Sequence, residues 1–518
     1  MKNELGDNFI KLCDTFRDIN NENLRTILRD NRDTVIGQRY GFSDIDSPES
    51  YALKVPISSA SDYRSYILDM LNGGENVLTS YPLYCYVVTS GSAGQRKILP
   101  LTLEALKRYG TYIDDVAKRA AEGTSGQRLF INMLRIDPDE AIDRKEPVLM
   151  SEAYYRYQYE SGHFDPDDYV GKKAVNFLSG EDTDYLYAKL WSSFATEKVV
   201  TIESIFLYNI LLFFSYMKKN GRKIICDMKK RCIPKEIKLS LRVRQELLKM
   251  DINDDRLDKI LAEFSKGYDR IAERLFPDLK LISGIGSRPS LTEEVMLKKY
   301  IGSVPVSHFC YVASECHLGI PVGEYDYVLL PESCYYEFRS VDEYTEQTIG
   351  AEKLIEGRDY ELMITTFNGL YRYELGDVVT VTGFVGQAPV IRFQYRRDLV
   401  LNIAGEKTDE LTLDSVIMEL KDRFSLIMPE YFARADYKEL PGRYEILICS
   451  GEISEESRLS EAFDEIMCEK SGDYRDLRNT GDIGDPVVRV FDDEEYHRIK
   501  TRFMIAGGHV KPVHIVTT

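Results

Sequence analysis

Residues 89–97, TSGSAGQRK, set three hydroxyls (Thr89, Ser90, Ser92), two glycines (Gly91, Gly94) and two cations (Arg96, Lys97) on one short turn behind the apolar run LYCYVV. Glycines let backbone N–H groups come close to an anion, hydroxyls add donors, and Lys97 adds a mobile positive charge. That is equipment for wrapping phosphate oxygens. The run is not a Walker A loop, which needs G-x-x-x-x-G-K-[ST], so the residues alone leave a phosphate loop and a plain surface turn both open. Further along, Glu315 in YVASECHLGI and Asp377 in YRYELGDVVTVTGF are carboxylates in loop-like settings, each readable as a ligand or as an ordinary solvated or turn residue. Cys310, Cys316, His308 and His317 crowd one stretch, but their spacing matches no common zinc pattern, and buried small side chains are the simpler reading of the cysteines.

The elements that must position these residues are legible in outline. LEALKRYGTYIDDVAKRA at 103–120 places Leu106, Tyr109, Ile113, Val116, Ala117 and Ala120 on one helical face, with Thr102 as N-cap, so the order expected is strand, glycine loop, helix. From 360 the pattern turns to short β segments around Asn368-Gly369, a pair that favours a tight type I′ hairpin turn within an antiparallel meander. After Arg396 the texture becomes α+β. LTLDSVIMELKDRF reads as helix, RYEILICS as strand, ESRLSEAFDEIMCEK as helix and PVVRVF as strand, with a last helix near 493–505. The fold class expected is α/β (mixed α+β): an N-terminal domain over 1–398, of sheets flanked by helices plus the meander, and a small mobile C-terminal lid over 399–518, with the active site between them.

A chain of 518 residues exceeds the size at which a single core stops growing, which agrees with two domains. Its 67 basic and 85 acidic residues leave a formal charge of −18, which repels polyanions and argues against a nucleic-acid partner, while a local cationic cleft can still hold a nucleotide. Nine scattered cysteines, none spaced C-x-x-C, suit reduced thiols in the cytoplasm. No secretory signal is visible in MKNELGDNFIKLCDTF. IFLYNILLFFSYM at 205–217 falls short of the ~20 apolar residues a bilayer span needs, so it reads as a buried helix and no membrane partner is expected.

Several motifs together resemble the adenylate-forming superfamily and, within it, the auxin-responsive acyl-acid amido synthetase family in a bacterial-type form. TSGSAGQRK is similar to the superfamily's TSGTTGxPK loop and YVASE to its Y-x-x-S-E motif. YRYELGDVVTVTGF followed by PVIRFQYRRDLVLNIAGEKTDE, and NRDTVIGQRYGF with LKVPISSASDYRSYI nearer the N-terminus, resemble the narrower family, so the likeness covers most of residues 30–410. It implies an adenylate-forming enzyme fold and an ATP-dependent ligase that adenylates a small carboxylic acid and then joins the acyl group to an amino acid. It further implies that Ser90, Gly91, Ser92, Ala93, Gly94 and Lys97 form the phosphate loop, and that Tyr311 and Ser314 line the nucleotide. Glu315 holds Mg2+, Asp377 accepts the ribose hydroxyls, and Arg396, chosen over its neighbour Arg397, contacts the nucleotide at the domain junction. Lys407 acts from just beyond the hinge, with Lys511 near the chain end as the competing catalytic cation. A monomer is expected.

The chain departs from the family in two places. Its phosphate loop has one residue fewer between the first glycine and the lysine, and GGHVKPVHI matches the family's QYKTPR stretch only at Lys511, with His514 where an arginine stands. Two rival readings follow: transfer to a coenzyme A or carrier thiol, and a nucleotide-binding protein without chemistry.

Overall fold

The computed structural model describes residues 6–89, 97–109, 121, 123, 125–132, 134–136, 146–179, 181–285, 291–323, 325–341, 347–397, 400–404, 406, 408–426, 430–438, 440–449, 456–491 and 515. Within them the chain is a mixed α/β protein built on four main sheets and a short two-stranded ladder.

Strands Gln127–Phe130, Val199–Phe206, Leu281–Ile285 and Val306–Ser307 pair in that order, all parallel. VVTIESIF of the second strand is buried along nearly its whole length, as a strand covered on both faces must be. One cover is the helix Leu207–Lys229. The apolar run at 205–217 is therefore the end of this strand and the first turns of that helix, and it lies in the core. No helix among the described residues is long and apolar enough to cross a membrane.

The meander is larger than its sequence signal. Seven antiparallel strands run in the order Cys334–Ser340, Asp359–Thr366, Tyr373–Val385, Ala388–Arg396, Asp326–Leu329, His317–Pro321 and Tyr311–Val312. Helix Phe16–Asp30 packs on this sheet through Phe16, Leu24, Ile27 and Leu28, and the Asn20 side chain bonds the backbone of Tyr336 in both directions.

Two local expectations need correction. The glycine-rich run does not lead straight into a helix: Lys97–Thr102 is itself a strand, antiparallel to Leu83–Thr89 with Thr89 opposite Lys97, and the helix Leu103–Tyr109 follows it. KILPLT is apolar from Ile98 to Leu101 and buried from Leu99 onward, and pairing satisfies its buried backbone where a loop would not. Thr102 does cap the helix, its Oγ1 accepting from Ala105 N at 3.1 Å; residues 110–120 of the expected helix lie outside the described residues. Asn368-Gly369 is also not a type I′ turn, because Gly369 alone of the pair has positive φ (+89°). Gly369 N donates to Thr366 O and Thr366 N to Leu370 O, a three-residue loop with glycine in the left-handed position. A Cβ there would also sit 2.9 Å from the Leu78 carbonyl oxygen, so the loop is closed against the N-terminal part of the chain.

Beyond 400, Glu430–Asp436, Arg443–Cys449 and Val487–Phe491 form a mixed sheet covered by the helices Glu410–Phe424 and Glu456–Lys470. The strand Glu430–Asp436 and the helix Gly472–Thr480 were not expected. The expected helix near 493–505 lies outside the described residues.

Candidate functional site

Asp377 sits on the strand Tyr373–Val385, directly opposite Arg396 on the neighbouring strand. Its Oδ1 accepts from Arg396 Nε at 3.0 Å and its Oδ2 from the Tyr311 hydroxyl at 2.7 Å. Tyr311 lies four strands away in the sheet order. Across a flat sheet that is about 19 Å, beyond the reach of a tyrosine and an aspartate together. The sheet must curl to bring its edge strand over its centre, and the rings of Tyr327 and Phe393 lie tilted beside that of Tyr311 in that fold. Arg396 has its pKa raised, first by the Asp377 charge and then, against the burial penalty, by Glu315. Burial, and then Asp377, push the Tyr311 phenol well up, so it remains a donor.

Glu315 follows Ser314 in a tight turn closed by Ala313 N to Cys316 O at 2.9 Å and Cys316 N to Ala313 O at 3.3 Å. Ser314 itself is half-buried. The buried Glu315 carboxylate accepts from the Tyr373 hydroxyl at 2.9 Å, and among the described residues no Lys or Arg lies within 4.0 Å of it. Burial and the Glu315 charge raise the Tyr373 pKa, which keeps that hydroxyl a donor. The Glu315 charge is thus steadied by a neutral group, with Arg396 the nearby cation that senses it. Two buried carboxylates facing one guanidinium leave an excess negative charge of hard oxygen donors, which fits a Mg2+ ion. Among the described residues no group of three or more His, Cys, Asp or Glu side chains is placed to hold a metal by itself, and Mg2+ ordinarily keeps several waters and substrate phosphates beside one or two carboxylates.

The structure therefore brings Tyr311, Glu315, Asp377 and Arg396 together on one side of one sheet. Arg397 turns the other way, to Glu361 Oε2 at 3.0 Å and Glu374 Oε1 at 2.6 Å. Lys97 opens its strand half-buried. Ser90, Gly91, Ser92, Ala93, Gly94, Lys407 and Lys511 lie outside the described residues. Sequence reasoning passed over Tyr373, although the period of two in YELGD puts it on the same face as Asp377. It also passed over Tyr109, read only as an apolar helix position, whose hydroxyl donates to the Glu315 carbonyl at 3.1 Å.

The model of the GH3 family N-terminal domain matches residues 6–306, that of the GH3 family central domain residues 327–396, and that of the GH3 family C-terminal domain residues 412–518. Indole-3-acetic acid-amido synthetase GH3.8 of Oryza sativa subsp. indica is 28% identical over 458 residues, covering 82% of this chain and 74% of that protein. Indole-3-acetic acid-amido synthetase GH3.17 of Arabidopsis thaliana is 27% identical over 446 residues, 76% of this chain and 72% of its own. Among solved structures, AtGH3.15 acyl acid amido synthetase in complex with 2,4-DB superposes with a TM-score of 0.84 at 22% identity, covering 98% of this chain and 93% of that one. A 2-hydroxyisobutyryl-CoA ligase in the postadenylation state gives 0.51 at 10% identity over 98% and 88%. These two likenesses establish the adenylate-forming fold.

Proposed function

The chain belongs to the GH3 family, and from that premise we propose that it is an ATP-dependent acyl-acid amido synthetase. A small carboxylic acid attacks the α-phosphorus of ATP to give an acyl-adenylate and pyrophosphate, and an amino acid nitrogen then attacks the acyl carbon and releases AMP. The acid is an anion near neutral pH, so the first step needs alignment and charge neutralisation more than a strong base. The observation that carries the reading is the group formed by buried Tyr311 and Asp377 with half-buried Arg396, beside buried Glu315.

Each of these residues has a definite task. Asp377, held by Tyr311 and Arg396, keeps lone pairs for the ribose hydroxyls. Arg396 supplies fixed positive charge where phosphate charge develops. Glu315 is the residue that would hold Mg2+, which neutralises phosphate oxygens when bound. Lys97, with the loop Ser90–Gly94 ahead of it, serves the phosphates; Lys407 and Lys511 are the candidate cations of the lid. Residues 399–518 form that lid, hinged at 398. Free thiols at Cys13, Cys85, Cys310, Cys316 and Cys334 support a reducing compartment, and we take it to be the cytoplasm.

Acid-dependent exchange of labelled pyrophosphate into ATP, over a panel of carboxylic acids, tests the first half-reaction. Mass spectrometry of products formed with amino acids, coenzyme A or neither tests the second. Amide products are expected; exchange with thioester products only would move the chain to the acyl-CoA ligases, and no exchange with any acid would remove the enzyme reading.

A further inference from the structure

We infer that Asn368 is a positioning residue for adenylation, its amide locking the segment behind the phosphate loop to the turn that carries Glu315. This rests on the reading that those two segments handle ATP and Mg2+. Asn368 sits at the tip of the loop between Asp359–Thr366 and Tyr373–Val385 and is 2% exposed. Its Oδ1 accepts from Thr102 N at 2.9 Å, at the end of the strand that Lys97 begins. Its Nδ2 donates to the Tyr109 hydroxyl at 2.9 Å and to the Glu315 carbonyl at 3.3 Å. Tyr109 in turn donates to that same carbonyl, so amide, phenol and carbonyl close a triangle.

Three segments remote in sequence thus meet at one side chain. Thr102 Oγ1 adds a bond to the Phe367 carbonyl at 3.1 Å, and the His317 ring donates from Nδ1 to the Tyr109 carbonyl at 3.2 Å. Glu315 is gripped at both ends from this one loop region, its carbonyl by Asn368 and its carboxylate by Tyr373. A primary amide suits this post because it offers acceptor and donors in fixed opposition. Thr102, Tyr109 and Glu315 are buried as well, so their lost bonds would not be replaced cheaply by water. The function of the network is to hold the strand that Lys97 begins and the turn that carries the Glu315 carboxylate at one fixed spacing, so that both would act on a single bound nucleotide.

The test uses the full chain with Asn368→Ala, Asn368→Asp and the isosteric Tyr109→Phe, beside a destabilised control remote from the network, Leu257→Ala in the helix Asp254–Ser265. Two quantities are read: the Mg2+ concentration that half-saturates pyrophosphate exchange, and the Mn2+ concentration that half-saturates the complex with a non-hydrolysable ATP analogue, by electron paramagnetic resonance. Loss of buried hydrogen bonds of this kind predicts about a ten-fold rise in both for the Asn368 variants and a smaller rise for Tyr109→Phe, with the KM for the acid within about two-fold. The control should lose active protein without moving either midpoint. If Asn368→Ala does not fold, Tyr109→Phe decides alone. Unmoved midpoints in the folded variants, with wild-type exchange intact, overturn the positioning role and leave the proposed function standing; absence of wild-type exchange and of metal–nucleotide binding overturns both.

Discussion

At the scale of single residues, the site is a set of charges held by neutral hydroxyls. Asp377→Asn is nearly isosteric and leaves the Tyr311 contact possible, but it replaces a charge-assisted acceptor and strands Arg396, whose charge is largely enclosed. We expect kcat/KM for ATP to fall by roughly 100-fold, or about 3 kcal/mol; unchanged ATP kinetics would take Asp377 out of the site. Glu315→Gln should raise the Mg2+ requirement of adenylation more than it changes the KM for the acid, and an unaltered metal dependence would refute the metal role. His317, buried next to this turn, carries a pH signature. Burial lowers its pKa from 6.5 to about 4, partly offset by its backbone hydrogen bonds. Between those values the unfolded chain binds a proton that the folded chain does not, so stability falls as pH drops through this window. The contribution is fully present above about pH 6.5. His317→Asn should therefore flatten the acid limb of stability against pH, relative to wild type, in urea titrations from pH 7 to 4; parallel curves would show that His317 is not the group responsible.

At the scale of elements, the end of the strand Ala388–Arg396 is fastened on both sides. Arg396 binds Asp377 towards the site, while Arg397 binds Glu361 and Glu374 on the other side, and Arg397 N bonds Gly376 O at 2.8 Å. The two arginines of the far side differ in depth. Arg339 reaches Glu361 with both groups nearly enclosed (14% and 6% exposed), whereas the Arg397 side chain is 55% exposed. Arg339→Met should thus cost about 3 kcal/mol by leaving a buried carboxylate poorly paired, and Arg397→Met no more than about 1 kcal/mol. Chemical denaturation of both variants measures the difference, and equal losses would mean that depth is not what decides. The proposed lid, if it turns at this junction, would have a rigid base on the sheet side in this fastening.

At the scale of the whole molecule, the apolar residues divide into three clusters, and the one formed by Leu401, Leu413, Ile417, Tyr444, Phe463 and their neighbours draws on no described residue before 401. That separation supports the proposed lid of residues 399–518. A chain ending at Arg397 should stay folded and bind ATP weakly while making no amide. A two-step reaction gains from a lid with two orientations, because the leaving pyrophosphate needs cations and the incoming amine needs an open path. Lys407→Ala should slow pyrophosphate exchange, and comparison with Lys511→Ala in exchange and in single-turnover aminolysis assigns each lysine its half-reaction. If neither substitution alters either step, the lid serves another purpose.

What the sequence determined by itself was local or compositional: the mixed α/β class, the buried run at 205–217, Thr102 as a helix cap, and the residue types gathered in TSGSAGQRK, YVASE and LGDVV. These depend on side-chain period, capping chemistry and backbone freedom within a few residues. Tertiary structure decided the rest. Whether KILPLT is loop or strand depends on a partner to pair with, and Leu83–Thr89 supplies one. Asn368 and Gly369 carry a hairpin signal, yet their geometry follows from Thr102, Tyr109 and Leu78, none of them near in sequence. Tyr311 and Asp377 meet only because a seven-stranded sheet curls, and no local pattern encodes how far a sheet bends, since twist and curl accumulate over strands that the chain visits out of order.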